Sequence, residues 1–241
     1  RRVKAAVAVP VIASLNGTTR AGWIHHARRM EQAGADAIEL NVYAVAADPE
    51  HSGAGVEEAT LELLSAVVAV VTVPVALKIS PFYSSLAHFA AAASRAGAAG
   101  LVLFNRLFQP AIDPQALEVQ RVLHLSDSSE LAMRLRWLAI LAPQFRGSLA
   151  VSGGVHTTLD AVQALMAGAG AVQMVSALLR HGPSRLAEVR LGVEAWMVEN
   201  GYERIDQLRG CMDLSRCPDP SGYERANYIH MVETWRPDRP A

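Results

Sequence analysis

Leu63-Leu64-Ser65-Ala66-Val67-Val68-Ala69-Val70-Val71-Thr72-Val73-Pro74-Val75-Ala76-Leu77-Lys78-Ile79 comes closest in this chain to an uninterrupted apolar run. A membrane span needs roughly 18 to 20 such residues without charge. Pro74 and Lys78 interrupt this one, so it reads as the end of a helix followed by a buried strand. Five more runs have the same character: VPVIASLNG (9–17), AIELN (37–41), GLVLFN (100–105), LAVSGG (149–154) and AVQMVS (171–176). Each of the six ends on polar or glycine residues, and the segments between them are long enough for at least one covering helix. Strands joined in that way are parallel neighbours with their C-terminal ends on one side. The fold class expected is therefore α/β, a TIM (β/α)8-type barrel of which six of the eight βα units are recognisable. Its functional groups belong at the C-terminal ends of the strands.

A repeat supports this reading. Val9-Pro10-Val11 with Ala33-Gly34-Ala35 returns as Val73-Pro74-Val75 with Ala96-Gly97-Ala98, and in weaker form as Gly147-Ser148-Leu149 with Ala167-Gly168-Ala169. The period suits a unit of two βα pairs and is too long for a solenoid. Thr18-Thr19 caps a helix over Arg20 to Ala33, and Thr157-Thr158 opens another that Gly168 stops. Glycine in each A-G-A element ends a helix just before the next strand. Helices near 186–199, 205–209 and 223–233 are expected to pack outside a single barrel domain spanning 1–241. Arg1 to Val7 reads as the last turn of a helix, which suggests a preceding segment, and six strands where a closed barrel needs eight imply either two strands upstream or an open variant.

Composition narrows the function. A net charge of -1 and no basic stripe argue against a nucleic-acid partner, and no segment argues for membrane insertion. Cys211 and Cys217 are the only cysteines, too widely spaced for a CxxC motif, so reduced thiols in a cytoplasmic protein are expected. His124, His156 and His181 share no ligand spacing and no metal is expected, while His25-His26 lies on a helix surface.

The strand ends carry the candidate chemistry. Gly153-Gly154 after a strand leave bare backbone N–H groups that an anion can approach, and Ser176 ends the next run with a hydroxyl, the arrangement of a phosphate site. Lys78 is one of two lysines among 22 basic residues and ends an apolar run, so it needs an anion, an electron-rich partner, or an ion pair with Glu39. Asn41 and Asn105, the latter followed by Arg106, offer amides that donate and accept, suited to a planar heterocycle.

Ile38-Glu39-Leu40-Asn41, Val75 to Pro81, Phe104-Asn105, Gly153-Gly154-Val155, Val172 to Leu178 and Gly201-Tyr202-Glu203-Arg204-Ile205-Asp206-Gln207-Leu208-Arg209-Gly210 occur in an order and spacing that resemble the dihydroorotate dehydrogenase family of FMN barrels, from residue 7 to about 212. The resemblance implies an FMN-dependent oxidoreductase acting on a CH–CH bond, dihydroorotate to orotate in pyrimidine biosynthesis, and it tilts the oligomeric state toward a homodimer. It implies that Gly153, Gly154, Val175 and Ser176 hold the FMN phosphate and that Lys78 lies by the N1/C2 edge of the flavin. Asn41 would touch flavin and substrate, with Asn105 and Arg106 on the small-molecule substrate.

The chain departs from the family pattern at the base. The family's Cys or Ser stands three residues after the asparagine, where this chain has Ala44, and a further asparagine is replaced by Ala46. The loop Tyr43 to Gly55 leaves His51 and Ser52 as candidates for the base, His51 with the better proton affinity near neutrality. Two alternatives stand beside the dehydrogenase: a flavin- or phosphate-ligand-binding barrel without turnover, and an aldolase-type barrel using Lys78 as an amine nucleophile.

Overall fold

A computed structural model describes residues 1–43, 45–106, 110–224 and 232–233. Contacts divide the chain into two compact units: Arg1–Leu125 with Phe145–Ser152, and Ser126–Gln144 with Gly153–Ala241.

In the first unit, α1 (Arg2–Ala6) precedes β1 (Ile12–Leu15), α2 (Arg20–Gln32), β2 (Ala37–Asn41), α3 (Gly53–Val68), β3 (Val75–Ile79), α4 (Leu86–Arg95) and β4 (Gly100–Leu103). A hairpin of β5 (Ala111–Asp113) and β6 (Glu118–Gln120) follows, and β7 (Ser148–Ser152) completes the unit's strands. β1, β2, β3, β4 and β7 are successive parallel neighbours. The helices were legible through their caps: the Thr19 hydroxyl accepts the Gly22 N–H at the start of α2, and Trp23 and Ala27 fall on its buried face.

Alternation decides what each strand shows to its two sides. Val75, Leu77 and Ile79 are buried on β3 while Ala76 and Lys78 point the other way, half-buried. Ile38 and Leu40 match them on β2, and β4 is buried throughout. Leu64 and Val67 of α3, which packs on β3, and Phe89, Ala90 and Ala93 of α4, which packs on α3, are all fully or nearly fully buried. Burying one such Leu or Phe stabilises the fold by roughly 1.5–3 kcal/mol.

The second unit holds a 3₁₀ turn (Ser128–Glu130), α5 (Leu131–Leu141), α6 (Thr158–Met166), β8 (Ala171–Gln173), α7 (Ser176–His181), α8 (Ser184–Glu199), α9 (Ile205–Leu208) and α10 (Ser221–Glu224). Thr157 and Asp160 form a reciprocal capping box at the start of α6. With β1, β2, β3, β4, β7 and β8 each followed by a helix, the chain contains six βα units of the TIM-type fold expected.

The A-G-A elements do what their sequence implies. Gly34, Gly97 and Gly168 have φ of 95°, 98° and 115°, the left-handed region that lets a helix stop and the chain turn into a strand. Three local readings need correction. The run AVQMVS ends its strand at Gln173, and Ser176 instead opens α7. The loop expected from Tyr43 to Gly55 closes at Ser52, whose hydroxyl accepts the Gly55 N–H and caps α3. The β5–β6 hairpin was not anticipated: Asp113 accepts the N–H groups of Gln115 and Ala116 and turns the chain back on itself. The helix expected over 223–233 lies largely outside the described residues.

Candidate active site

The first unit gathers four polar side chains from three adjacent strands. Ser14 stands opposite Glu39 in register, and Asn41 opposite Lys78. Register partners on parallel strands project to the same side, as do residues two apart, so Ser14, Glu39, Asn41 and Lys78 share one face. Glu39 Oε1 accepts the Ser14 hydroxyl at 2.8 Å and lies 3.9 Å from Lys78 Nζ. Lys78 is therefore paired within the sheet, with its side chain 15% exposed at the end of β3.

Asn105 and Asn41 meet directly. Asn105 Nδ2 donates to Asn41 Oδ1 at 2.5 Å and to the Val42 carbonyl at 3.2 Å, while the Asn105 N–H donates to the Ile79 carbonyl at 2.7 Å. Asn105 is 9% exposed, so this pair is fixed in place. Both hydrogens of the Asn105 amide are directed to Asn41 and Val42, which leaves its Oδ1 and the Asn41 Nδ2 as an acceptor and a donor outside the pair. Asn16 Nδ2 donates to the Asn41 carbonyl at 2.9 Å and holds the end of β2. Arg106 follows Asn105 at the surface.

The loop after β2 brings His51 Nδ1 to 3.7 Å from Asp48 Oδ2, with the imidazole 69% exposed. Ser52 is committed to the α3 cap. Ala44 lies outside the described residues, and Ala46 is exposed.

In the second unit a second polar cluster forms around Gly154. The Ser126 N–H donates to Ser176 Oγ at 3.1 Å, and Ser126 Oγ receives the Gly154 N–H at 3.5 Å and sits 3.2 Å from His156 Nε2. Ser126 and His156 are 2% and 7% exposed. Burial, above all, and the nearby Arg180 charge hold the His156 pKa below the ordinary 6.5, against the opposing pull of Asp160 and Asp127. Asp160 Oδ2 accepts the N–H groups of His156 and Thr157 and the Ser128 hydroxyl. Val175, ahead of α7, is exposed.

Of the groups expected at a phosphate, the Gly154 N–H is directed to Ser126 Oγ and so is not bare. Ser176 Oγ accepts from Ser126 and keeps its own hydrogen to give, and Asp160, the carboxylate nearest the His156 backbone, accepts three donors on Oδ2. Gly153 and Gly154 hold φ of 82° and 79°. Packing alone accounts for glycine at both positions: a Cβ at 153 would come 2.8 Å from the Arg134 guanidinium and one at 154 would come 2.7 Å from the Leu131 N. Sequence reasoning weighed His156 only as a metal ligand and passed over Ser126; the two stand 30 residues apart and meet only on folding. Among the described residues no group of His, Cys, Asp or Glu could hold a metal ion.

The family model of dihydroorotate dehydrogenase matches residues 1–197. The chain belongs to the dihydroorotate dehydrogenase family. It is 30% identical over 210 residues to a protein of Methanothermobacter thermautotrophicus named dihydroorotate dehydrogenase B (NAD(+)), catalytic subunit, covering 84% of this chain and 68% of that one. The protein of the same name from Pyrococcus abyssi is 31% identical over 209 residues, 83% of this chain and 68% of its own length. A dihydroorotate dehydrogenase A (fumarate) of Lactiplantibacillus plantarum is 28% identical over 205 residues, 83% of this chain and 67% of its own. The chain is thus an oxidoreductase of the dihydroorotate dehydrogenase family, and FMN is the family's cofactor. Among the described residues no helix is long and apolar enough to cross a membrane.

Proposed function

We propose that this dihydroorotate dehydrogenase relative oxidises a CH–CH bond of a small cyclic anion, dihydroorotate giving orotate in pyrimidine biosynthesis. The observation that carries the reading is the polar face built by Asn41 and Lys78 in register at the ends of β2 and β3, with Asn105 fixed against Asn41. FMN, when bound, supplies the acceptor for the hydride that leaves the substrate. Lys78 and Asn41 hold its ring, and Gly153, Gly154, Val175 and Ser176 its phosphate. A cation such as Lys78 favours negative charge on the ring it faces.

The substrate is oriented by the amides. Asn41 Nδ2 and Asn105 Oδ1 offer a donor and an acceptor to a ring with alternating carbonyl and N–H groups, and Arg106 offers a guanidinium to its carboxylate. With Ala44 at the family's base position, His51 takes the C5 proton on Nε2, its other nitrogen turned toward Asp48. Ser52 is the weaker candidate because its oxygen caps α3. Free Cys211 and Cys217 suit a reducing cytoplasm.

A second reading, an FMN-binding barrel without dihydroorotate turnover, draws on Ala44 and Ala46, neither of which can take a proton or bind a pyrimidine through its side chain. Anaerobic mixing of the FMN-loaded chain with dihydroorotate separates the two. Loss of the flavin colour supports the dehydrogenase, persistent colour supports the binder, and the aldolase alternative requires instead that borohydride trap a carbonyl substrate on Lys78.

A further inference from the structure

His156 is a buried imidazole one hydrogen bond from Ser126, which in turn bonds two of the residues read as a phosphate site, Gly154 and Ser176. Its Nε2 lies 3.2 Å from Ser126 Oγ, the oxygen that receives the Gly154 N–H, while the Ser126 backbone N–H holds Ser176 Oγ at 3.1 Å. Ser126 thereby joins the two elements, Gly154 and Ser176, assigned to the anion, and His156 is the side chain that determines where the Ser126 hydroxyl hydrogen points.

The two protonation patterns of the imidazole have opposite consequences. A serine hydroxyl has one hydrogen. When His156 Nε2 is an unprotonated acceptor, Ser126 gives that hydrogen to the ring and has none for a ligand. When Nε2 carries a proton, it donates to Ser126 Oγ and frees the hydroxyl hydrogen for an anion; the neutral Nε2–H tautomer does this with no proton taken up, whereas the imidazolium, which an anion's charge favours, does it with one. We infer that His156 and Ser126 form a relay in the phosphate site: phosphate binding selects the Nε2-protonated imidazole, takes up a proton at His156, and turns the Ser126 hydroxyl into a donor to the anion.

The groups facing His156 set the range over which this occurs. Asp127 lies ahead of the 3₁₀ turn, Asp160 on α6, and Arg180 and His181 on α7, all acting on the ring by charge, while Arg185 of α8 donates to the His156 carbonyl at 3.0 Å. Burial and Arg180 keep the free imidazole neutral near pH 7. A phosphate adds opposite charge and raises the pKa of His156. The proton-linked part of phosphate affinity is then greatest at low pH and is lost as pH rises through the anion-bound pKa.

The proposal rests on the phosphate reading of Gly154 and Ser176, and the test tells the two apart. The His156 imidazole of the whole chain is followed by NMR across pH 5.5–8 in the absence of ligand, with inorganic phosphate, and with FMN, His156→Gln serving to assign the signal. The expected result is a rise of the His156 midpoint with either anion. For FMN, log Kd against pH should be steeper in the wild type than in His156→Gln, by up to about one proton, because the ligand's own phosphate ionisation is common to both. Ser126→Ala should weaken FMN roughly tenfold. Anion binding that leaves the His156 midpoint unmoved, with equal slopes for wild type and His156→Gln, overturns the relay and leaves the phosphate site standing. A midpoint shift with phosphate but no FMN binding overturns the flavin reading and upholds the relay. Failure of both inorganic phosphate and FMN to bind overturns both.

Discussion

Lys78 Nζ lies 3.9 Å from Glu39 Oε1 on the neighbouring strand, and the same carboxylate oxygen accepts the Ser14 hydroxyl at 2.8 Å. Both charged side chains are largely buried, at 15% and 6% exposure. Removing one partner of such a largely buried pair breaks the ion pair in a low-dielectric setting, a loss of up to about 3–5 kcal/mol. Glu39→Ala should therefore destabilise the chain by that order in chemical denaturation. Lys78→Met should do the same and, in addition, lower the reduction potential of bound flavin, which dye equilibration would read.

Asn105 links strand ends in the first unit. Asn105→Ala removes the donors to Asn41 Oδ1 and the Val42 carbonyl in a buried setting, a loss of roughly 1–3 kcal/mol. It should also raise KM for the substrate more than it lowers flavin affinity, because Asn105 is assigned to the substrate and not to the flavin. Thermal melts and steady-state kinetics would check the two parts.

The glycines at Gly154 and Gly182 give a matched comparison. Both have φ near 80°, but a Cβ at 182 meets nothing within 4 Å while one at 154 comes 2.7 Å from the Leu131 N. Gly182→Ala should cost about 1–2 kcal/mol for the backbone alone. Gly154→Ala should cost more, because the start of α5 must also move, and should abolish FMN retention. Melting temperature and bound-flavin stoichiometry would show the contrast.

Acid should reveal the role of Glu31. Its carboxylate accepts the Thr72 N–H at 2.6 Å, the Thr72 hydroxyl at 2.8 Å and the Val73 N–H at 3.1 Å, and the Thr72 N–H foremost holds its pKa below the ordinary 4.5. A depressed folded-state pKa contributes stability that is present above 4.5 and lost as pH falls through the folded value. Glu31→Gln should therefore flatten the acid limb of a stability-against-pH curve below that range, with denaturant midpoints as the measure.

The strands were legible because parallel strands buried on both faces read as unbroken apolar runs, and each run's polar end marks where a site can form. The helix stops were legible because only glycine takes the left-handed turn cheaply, as Gly34, Gly97 and Gly168 do. The β5–β6 hairpin was not, since its short exposed strands lack apolar alternation and only Asp113-Pro114 signalled a turn. The polar face of Asn41 and Lys78 was half legible: the residues stood out at strand ends, but the 2.5 Å bond between Asn41 and Asn105 depends on chain segments 64 residues apart. Ser126 sits in a Ser- and Asp-rich stretch that reads as a loop, and only the tertiary structure sets it against His156.

On the reading proposed, this family member, with alanine at the family's base position, still carries FMN and oxidises dihydroorotate. Anaerobic stopped-flow mixing of the FMN-loaded chain with dihydroorotate tests it most directly. Bleaching of the oxidised flavin absorbance, slowed on the order of 10²-fold by His51→Ala, is the result expected. A chain that binds FMN and keeps its full colour in excess dihydroorotate would contradict it.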